Sequence, residues 1–166
     1  MTGNDLGLIL LTGIGATLFA DLWTLLRERA FAVPMPNMAL VGRWVAHMPH
    51  GRFLHDSIAA SAPVRSERVV GWIVHYLIGS AFAFLVPMLF GFEWLRHPTL
   101  APALIVGIGT VVAPYFVMQP AMGAGIAASR TPRPSAARFH SLVMHATFGL
   151  GLYVAARLFA LLSTGE

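Results

Sequence analysis

Hydrophobic positions along the chain fall into four long runs, which polar connections separate. Each run reaches about 20 residues, the length that a helix needs to cross the hydrocarbon core of a bilayer. We therefore predict four membrane-spanning helices over residues 6–26, 69–92, 101–126 and 140–162. The first run has no positively charged segment before it and no clear cleavage site after it, so we interpret it as a retained transmembrane helix.

A shorter helix is predicted in the long connection between the first two runs. Two prolines break the chain there, and Asn37 is suited to cap the helix that follows. Apolar residues then recur at helical spacing, at Met38, Val41, Val45 and Met48. This pattern is typical of an amphipathic helix over residues 37–48 that lies on the inner membrane surface. The predicted fold is an all-α integral membrane four-helix bundle with a short interfacial amphipathic helix in the first cytoplasmic loop.

The composition supports the membrane class. The chain is 57% hydrophobic and only 11% charged, whereas soluble domains carry about 25% charged residues. The formal net charge is +4. In a chain this apolar, basic connections indicate membrane topology and anionic lipid rather than nucleic acid. We therefore expect the lipid bilayer as a partner and expect no nucleic acid.

The arginines predict the orientation. Nine of them fall in the first and third connections: Arg27, Arg29, Arg43, Arg52, Arg65, Arg68, Arg130, Arg133 and Arg138. The positive-inside rule places both connections in the cytoplasm and both termini in the periplasm of a bacterial inner membrane. Four of these arginines are expected to contact lipid headgroups: Arg27, Arg29, Arg130 and Arg133.

Ionisable residues inside membrane spans are costly and usually mark functional sites. Asp21, His75 and His145 each lie six or seven residues from a flanking arginine, which is roughly 9 to 11 Å along a helix. All three flanking arginines are expected at the cytoplasmic surface of the membrane. We therefore expect the three side chains at the same depth in the bilayer and predict that they form one polar site. The alternative is that they only form hydrogen bonds that hold helices together.

The third hydrophobic run contains two prolines, Pro114 and Pro120. Each removes a helical hydrogen bond and frees the carbonyl four residues earlier. Freed backbone at membrane depth is tolerated where it faces protein or water. We therefore predict that Tyr115, Met118 and Gln119 line the polar site.

The stretch HMPHGRFLHD holds three of the seven histidines. We predict that His47, His50, His55 and Asp56 close the site from the cytoplasmic side, and that His140 contributes; the alternative is a solvated interfacial loop. Imidazoles with a carboxylate suit zinc, iron, manganese or copper, and imidazoles also pass protons. Haem with two axial histidines is less favoured. The chain has no cysteine, which excludes thiolate ligands and disulfides.

Three long stretches carry a resemblance to a known family: GIGATLFADLW, NMALVGRWVAHMPHGRFLHDSIAASAPV, and APYFVMQPAMGAGIAASRTPRP with the following HSLVMHATFGLGLY. In these the chain resembles domain of unknown function family 2938. The resemblance implies a small bacterial inner-membrane protein with about four helices. The family has no assigned activity, so no catalytic residue can be transferred.

Three functional hypotheses follow. The leading one is a membrane protein whose His/Asp site near the cytoplasmic face binds a metal ion or small polar ligand, or relays protons for transport. The second is an accessory or assembly subunit of a larger membrane complex. The third is a membrane-embedded enzyme that acts on a lipid or quinone with a histidine as general base. Four short helices enclose little space, so transport would favour a homo-oligomer.

Overall fold

The computed structural model describes residues 3–163. Helices make up nearly all of the regular structure, and no strand occurs in that range. The α-helices are α1 (Gly3–Phe31), α2 (Met38–His47), α3 (Glu67–Phe90), α4 (Leu100–Gly109), α5 (Gln119–Ala121) and α6 (Pro134–Ser163). Short 3₁₀ turns cover Met48–His50, Ile58–Ala60, Phe92–Leu95 and Ile126–Ala128. The all-α prediction is confirmed.

Four helical stretches are long and apolar enough to cross a membrane: Asn4–Phe31, Glu67–Phe90, Leu100–Ala121 and Pro134–Leu162. They are compatible with the predicted four-helix bundle. Their outward side chains include many exposed leucines, isoleucines and phenylalanines. The predicted periplasmic location of the two termini concerns residues at the chain ends that lie outside the described range, and it stays a prediction.

The third of these stretches is not one regular helix. After α4 the chain widens into a π-helical turn over Pro114–Met118, in which the Gln119 N–H bonds to the Pro114 carbonyl five residues back. The helical part ends at Ala121, before the predicted end at residue 126. The cause is local, because Gly123 has a φ of +92° and Gly125 a φ of +75°, values that interrupt a right-handed helix.

The chain divides into two compact units. The first comprises Met1–Met35, Tyr76–Thr110 and Val143–Glu166. Its core is a single cluster of buried apolar residues from α1, α3, α4, α6 and the turn after α3, with Ile9, Val86, Ala103 and Leu152 almost fully buried.

Glycines set the helix spacing in the first unit. A Cβ on Gly13 would lie 2.5 Å from the Ser80 Cα, and a Cβ on Gly107 would collide with the backbone of Gly149. Small residues let helix backbones approach this closely. Gly13 of α1 and Gly107 of α4 are therefore positions at which helices of this unit pack in close contact.

The second unit comprises Pro36–His75 and Val111–Leu142. In it α2 crosses the start of α3 in backbone contact, because a Cβ on Gly42 would collide with the Glu67 carbonyl and one on Gly71 with the Met38 carbonyl. Asn37 caps α2 by accepting a hydrogen bond from the Ala39 N–H at 3.1 Å. One face of the short amphipathic helix is thus packed on protein.

Candidate functional site

The HMPHGRFLHD stretch folds back on the end of α2. His47 is the last residue of the helix, and Met48–His50 continues as a 3₁₀ turn. Gly51 then reverses the chain with a φ of +73°, a value that glycine adopts at low cost. The Trp44 indole N–H donates to the Phe53 carbonyl at 2.9 Å. This reversal brings His55 beside His47.

The two imidazoles form a hydrogen-bonded pair. The Nδ1 of His47 lies 2.9 Å from the Nε2 of His55, and the rings stack with centroids 5.1 Å apart and planes at 29°. Each residue is only 9% exposed. A contact this short needs one proton between the two nitrogens, so one ring donates and the other accepts.

The position of His55 is fixed by the segment that follows the π-helical turn. The His55 N–H donates to the Ala121 carbonyl at 2.9 Å, and the Ile58 N–H donates to the Met122 carbonyl at 3.1 Å. Gly123 packs so closely on the Asp56 carbonyl that a Cβ would collide with it. The loop is therefore held by backbone contacts as well as by side chains.

Arg43 holds the other end of the loop. Its guanidinium donates to both carboxylate oxygens of Glu67, at 2.8 and 2.9 Å. Its Nη1 also donates to the carbonyls of Ile58, Ala59 and Ser61, at 2.9 to 3.3 Å. The hydrogen bond to Glu67 raises the pKa of Arg43, so this residue stays charged. A planar guanidinium suits this arrangement, since it presents five donors in one plane.

Two buried polar atoms in this unit have no hydrogen-bond partner: the Nδ1 of His55 and the Oε1 of Gln119. The other end of the Gln119 amide makes only a long contact, from Nε2 to the Ser141 hydroxyl at 3.5 Å. Buried polar groups are normally satisfied, so an unsatisfied one calls for an explanation such as a ligand or a catalytic role.

His55 also contributes to the wall of an open polar depression of about 390 Å³. The lining comes entirely from one stretch of the loop: Arg52, Leu54, His55, Asp56, Ser57, Ala60, Ser61 and Ala62. Arg52 and Asp56 bring charges of opposite sign, and the two serines bring hydroxyls. The imidazole pair therefore has one member at a surface that small polar molecules can reach.

Asp21, His75 and His145 each have neighbours within their own unit, and their grouping into one site stays a prediction. Asp21 and His145 belong to the first unit and His75 to the second. The Tyr76 hydroxyl donates to the Asp21 carboxylate at 3.0 Å, and the ring of His75 packs edge-on against Trp72 with centroids 5.6 Å apart.

His145 packs against α4. The Thr110 hydroxyl donates to the Gly107 carbonyl at 2.6 Å, so its oxygen is left as an acceptor. The His145 Nδ1 lies 3.0 Å from that oxygen and 3.3 Å from the Gly107 carbonyl. Both neighbours accept, which makes Nδ1 the protonated nitrogen and Nε2 the free acceptor.

The remaining predicted residues belong to both units. The Tyr115 hydroxyl donates to the Arg138 carbonyl at 2.7 Å, and Met118 lies half-buried in the π-helical turn. The exposed residues are His50, His140, Arg29, Arg130 and Arg133. Arg27 is half-buried and donates to the Met144 sulfur at 3.6 Å.

A three-ligand metal centre is not found. Within residues 3–163, no group of three or more His, Asp or Glu side chains is arranged to hold a metal ion. The contact between His47 and His55 brings together two imidazoles only.

The sequence placed His47, His55, Asp56 and Gln119 among the candidate residues, yet it gave no reason to pair the two histidines. The signal that could have found the pair is Pro49 with Gly51 two residues later, since proline and glycine are the residues that most often mark turns. The hydrogen bonds of Arg43 were not predicted from the sequence, because its partners are three backbone carbonyls and a glutamate 24 residues away.

The comparisons with known proteins give the family and nothing further. The chain belongs to the family described as protein of unknown function (DUF2938), whose model matches residues 10–159. No match was found among curated proteins or among solved structures.

Proposed function

We propose that this protein is an integral inner-membrane protein that takes up and passes on protons at the hydrogen-bonded pair of His47 and His55. The observation that carries the proposal is the 2.9 Å contact between two buried imidazoles, one of which has an unpartnered Nδ1.

The membrane part of the proposal rests on the four apolar helices of spanning length and on the distribution of arginine. Nine arginines fall in two of the three connections, and such connections stay on the cytoplasmic side. The loop that carries both histidines is one of them, so the pair belongs to the cytoplasmic side of the protein. The exposed arginines beside the spans, including Arg29 and Arg133, then contact lipid headgroups.

The chemistry of the pair suits proton transfer. In the neutral pair, the His55 Nε2–H donates to the His47 Nδ1, and the second proton sits on the His47 Nε2. A proton that arrives at the free His55 Nδ1 makes that ring cationic. The shared proton then moves to the His47 Nδ1, and the His47 Nε2 releases its own proton. One proton enters at His55 and one leaves at His47, so the pair passes on one proton for each proton that it takes up.

The depression beside His55 supplies the entry side, because water can reach its polar wall. The backbone hydrogen bonds from His55 to Ala121 and from Ile58 to Met122 hold the loop so that the His55 ring stays aligned with the His47 ring. Proton transfer between fixed partners needs this alignment, since hydrogen bonds weaken steeply when distance or angle departs from the optimum.

The test is proton flux into proteoliposomes that contain a pH-sensitive dye, under a potential set by potassium and valinomycin. The wild-type protein is expected to acidify the interior faster than empty liposomes do. His47→Gln and His55→Gln are expected to reduce the rate to that of empty liposomes. His97→Gln is the matched control, because that side chain is 80% exposed and belongs to the other unit, where it pairs with Glu93. Wild-type flux no faster than empty liposomes would contradict the proposal.

A further inference from the structure

The depression beside His55 has a lining that matches a dipolar ligand. Arg52 and Asp56 lie on its wall with opposite charges, both side chains are exposed, and no ion pair joins them within the described chain. Ser57 and Ser61 add hydroxyls that can donate or accept. A ligand with one anionic and one cationic end would meet complementary groups at both ends.

The depression is also a rigid feature. Arg43 donates to three carbonyls between residues 58 and 61, and the N–H groups of His55 and Ile58 are bonded to the segment after the π-helical turn. Binding to a preformed site avoids the cost of ordering a loop. The backbone that carries the lining residues is thus hydrogen-bonded in place before any ligand arrives.

Asp56 favours a ligand that carries a hydrogen-bond donor at its cationic end. Its carboxylate is exposed on the wall of the depression and can accept hydrogen bonds through both oxygens. A primary ammonium has N–H groups that can donate to it, and a quaternary ammonium has none.

We propose that the depression between Arg52 and Asp56 binds a small zwitterion with an oxyanion at one end and a primary ammonium at the other. Arg52 binds the oxyanion, which suits a guanidinium because it donates two parallel hydrogen bonds. Asp56 accepts from the ammonium. This inference goes beyond the proposed function and does not rest on it.

Phosphoethanolamine is the simplest chemistry of this kind, and it has two sources. It occurs as a soluble molecule, and it is also the headgroup of a lipid. Phosphocholine is the matched control ligand, since it keeps the phosphate and the positive charge but has no N–H donor.

The first arm is isothermal titration of the detergent-purified full chain with O-phosphoethanolamine and with phosphocholine. We expect O-phosphoethanolamine to bind at least about tenfold more tightly than phosphocholine. The reason is that the lack of one charge-assisted hydrogen bond weakens binding by about this factor. Arg52→Gln and Asp56→Asn should each weaken its binding by a similar factor. Arg65→Gln, an exposed arginine of the same loop that is not part of the lining, should leave it unchanged.

The second arm identifies the source. The protein is placed in nanodiscs of phosphatidylethanolamine or of phosphatidylcholine, and soluble O-phosphoethanolamine is titrated again. Binding blocked only in phosphatidylethanolamine would identify the lipid headgroup as the ligand, and unchanged binding in both would identify the soluble molecule. Equal affinity for the two soluble ligands, unchanged affinity in Arg52→Gln, or no binding of either would overturn the proposal.

The outcome is separable from that of the proposed function. Arg52→Gln and Asp56→Asn leave both imidazoles in place, so they are expected to weaken zwitterion binding about tenfold while ring-to-ring hydrogen bonding persists in nitrogen NMR spectra. A protein with an intact pair and no zwitterion binding would refute only this inference. Zwitterion binding without a shared proton would refute only the relay.

Discussion

Arg43 and Glu67 are joined by two hydrogen bonds, at 2.8 and 2.9 Å, across 24 residues of sequence. Their side chains are 12% and 16% exposed. The same guanidinium bonds to three carbonyls of the loop that follows His55. This arginine therefore connects α2, α3 and the wall of the candidate site, and it explains why a polar loop of this length has a defined shape.

Arg43→Lys is expected to lower the melting temperature and to loosen the loop. A lysine ammonium keeps the charge but cannot present two parallel donors to Glu67 together with donors to three carbonyls. The measurement is thermal unfolding in detergent, with hydrogen exchange of the Ile58 and His55 amides. Arg65→Lys is the control, since Arg65 is exposed in the same loop. Equal melting temperatures for the two variants would show that the hydrogen bonds of Arg43 do not stabilise the fold.

Because α2 and α3 cross in backbone contact, we expect one methyl group added at the crossing to lower the stability of the protein. Gly42→Ala places a Cβ against the Glu67 carbonyl, and overpacking of this kind costs about 1 to 3 kcal/mol or more. Gly7→Ala is the control, because a Cβ there meets no heavy atom within 4 Å. The free energy of unfolding, measured by denaturant titration in detergent, should fall for Gly42→Ala only. A stable Gly42→Ala protein would contradict the backbone contact.

The hydrogen bond from the Tyr76 hydroxyl to the Asp21 carboxylate is expected to stabilise the fold. Tyr76→Phe removes the donor 3.0 Å from the carboxylate, which costs about 1 kcal/mol or more of stability. Tyr153→Phe is the matched control, since no hydrogen bond of the Tyr153 hydroxyl is found in the described chain. The comparison is made by denaturant unfolding of both variants, and equal stabilities would show that this hydrogen bond is not stabilising.

The lack of cysteine makes the predicted orientation directly testable. Single-cysteine variants can be labelled without background, because the chain has no native cysteine. His97→Cys should react with a membrane-impermeant maleimide in intact spheroplasts, whereas Arg65→Cys and Arg133→Cys should react only after lysis. Labelling of all three in intact spheroplasts, or the reverse pattern, would contradict cytoplasmic placement of the arginine-rich connections.

The helical content was predictable because long apolar runs leave the backbone few alternatives. The predicted spans 6–26 and 140–162 lie within α1 and α6, and α3 ends at Phe90, two residues before the predicted end at residue 92. Asn37 was likewise identified as the cap of α2, since its side chain accepts from a backbone N–H two residues on. These features depend on local sequence, which a single chain displays directly.

The candidate site was only partly predictable. Depth along the helices suggested Asp21, His75 and His145, but depth says nothing about the rotation of each helix, and Tyr76, Trp72 and Thr110 were not foreseen as their neighbours. The His47–His55 contact depends on a reversal at Gly51 and on backbone bonds to residues 121 and 122. Long-range contacts of this kind have no periodic signature in the sequence.

The most direct test of the proton-sharing pair is nitrogen NMR of the protein labelled with ¹⁵N-histidine, in lipid nanodiscs at neutral pH. A shared proton predicts a scalar coupling across the hydrogen bond between the His47 Nδ1 and the His55 Nε2, which His47→Gln and His55→Gln each abolish and His97→Gln leaves intact. Two histidines that show no coupling, each with ring nitrogens like those of a solvent-exposed imidazole, would contradict the account.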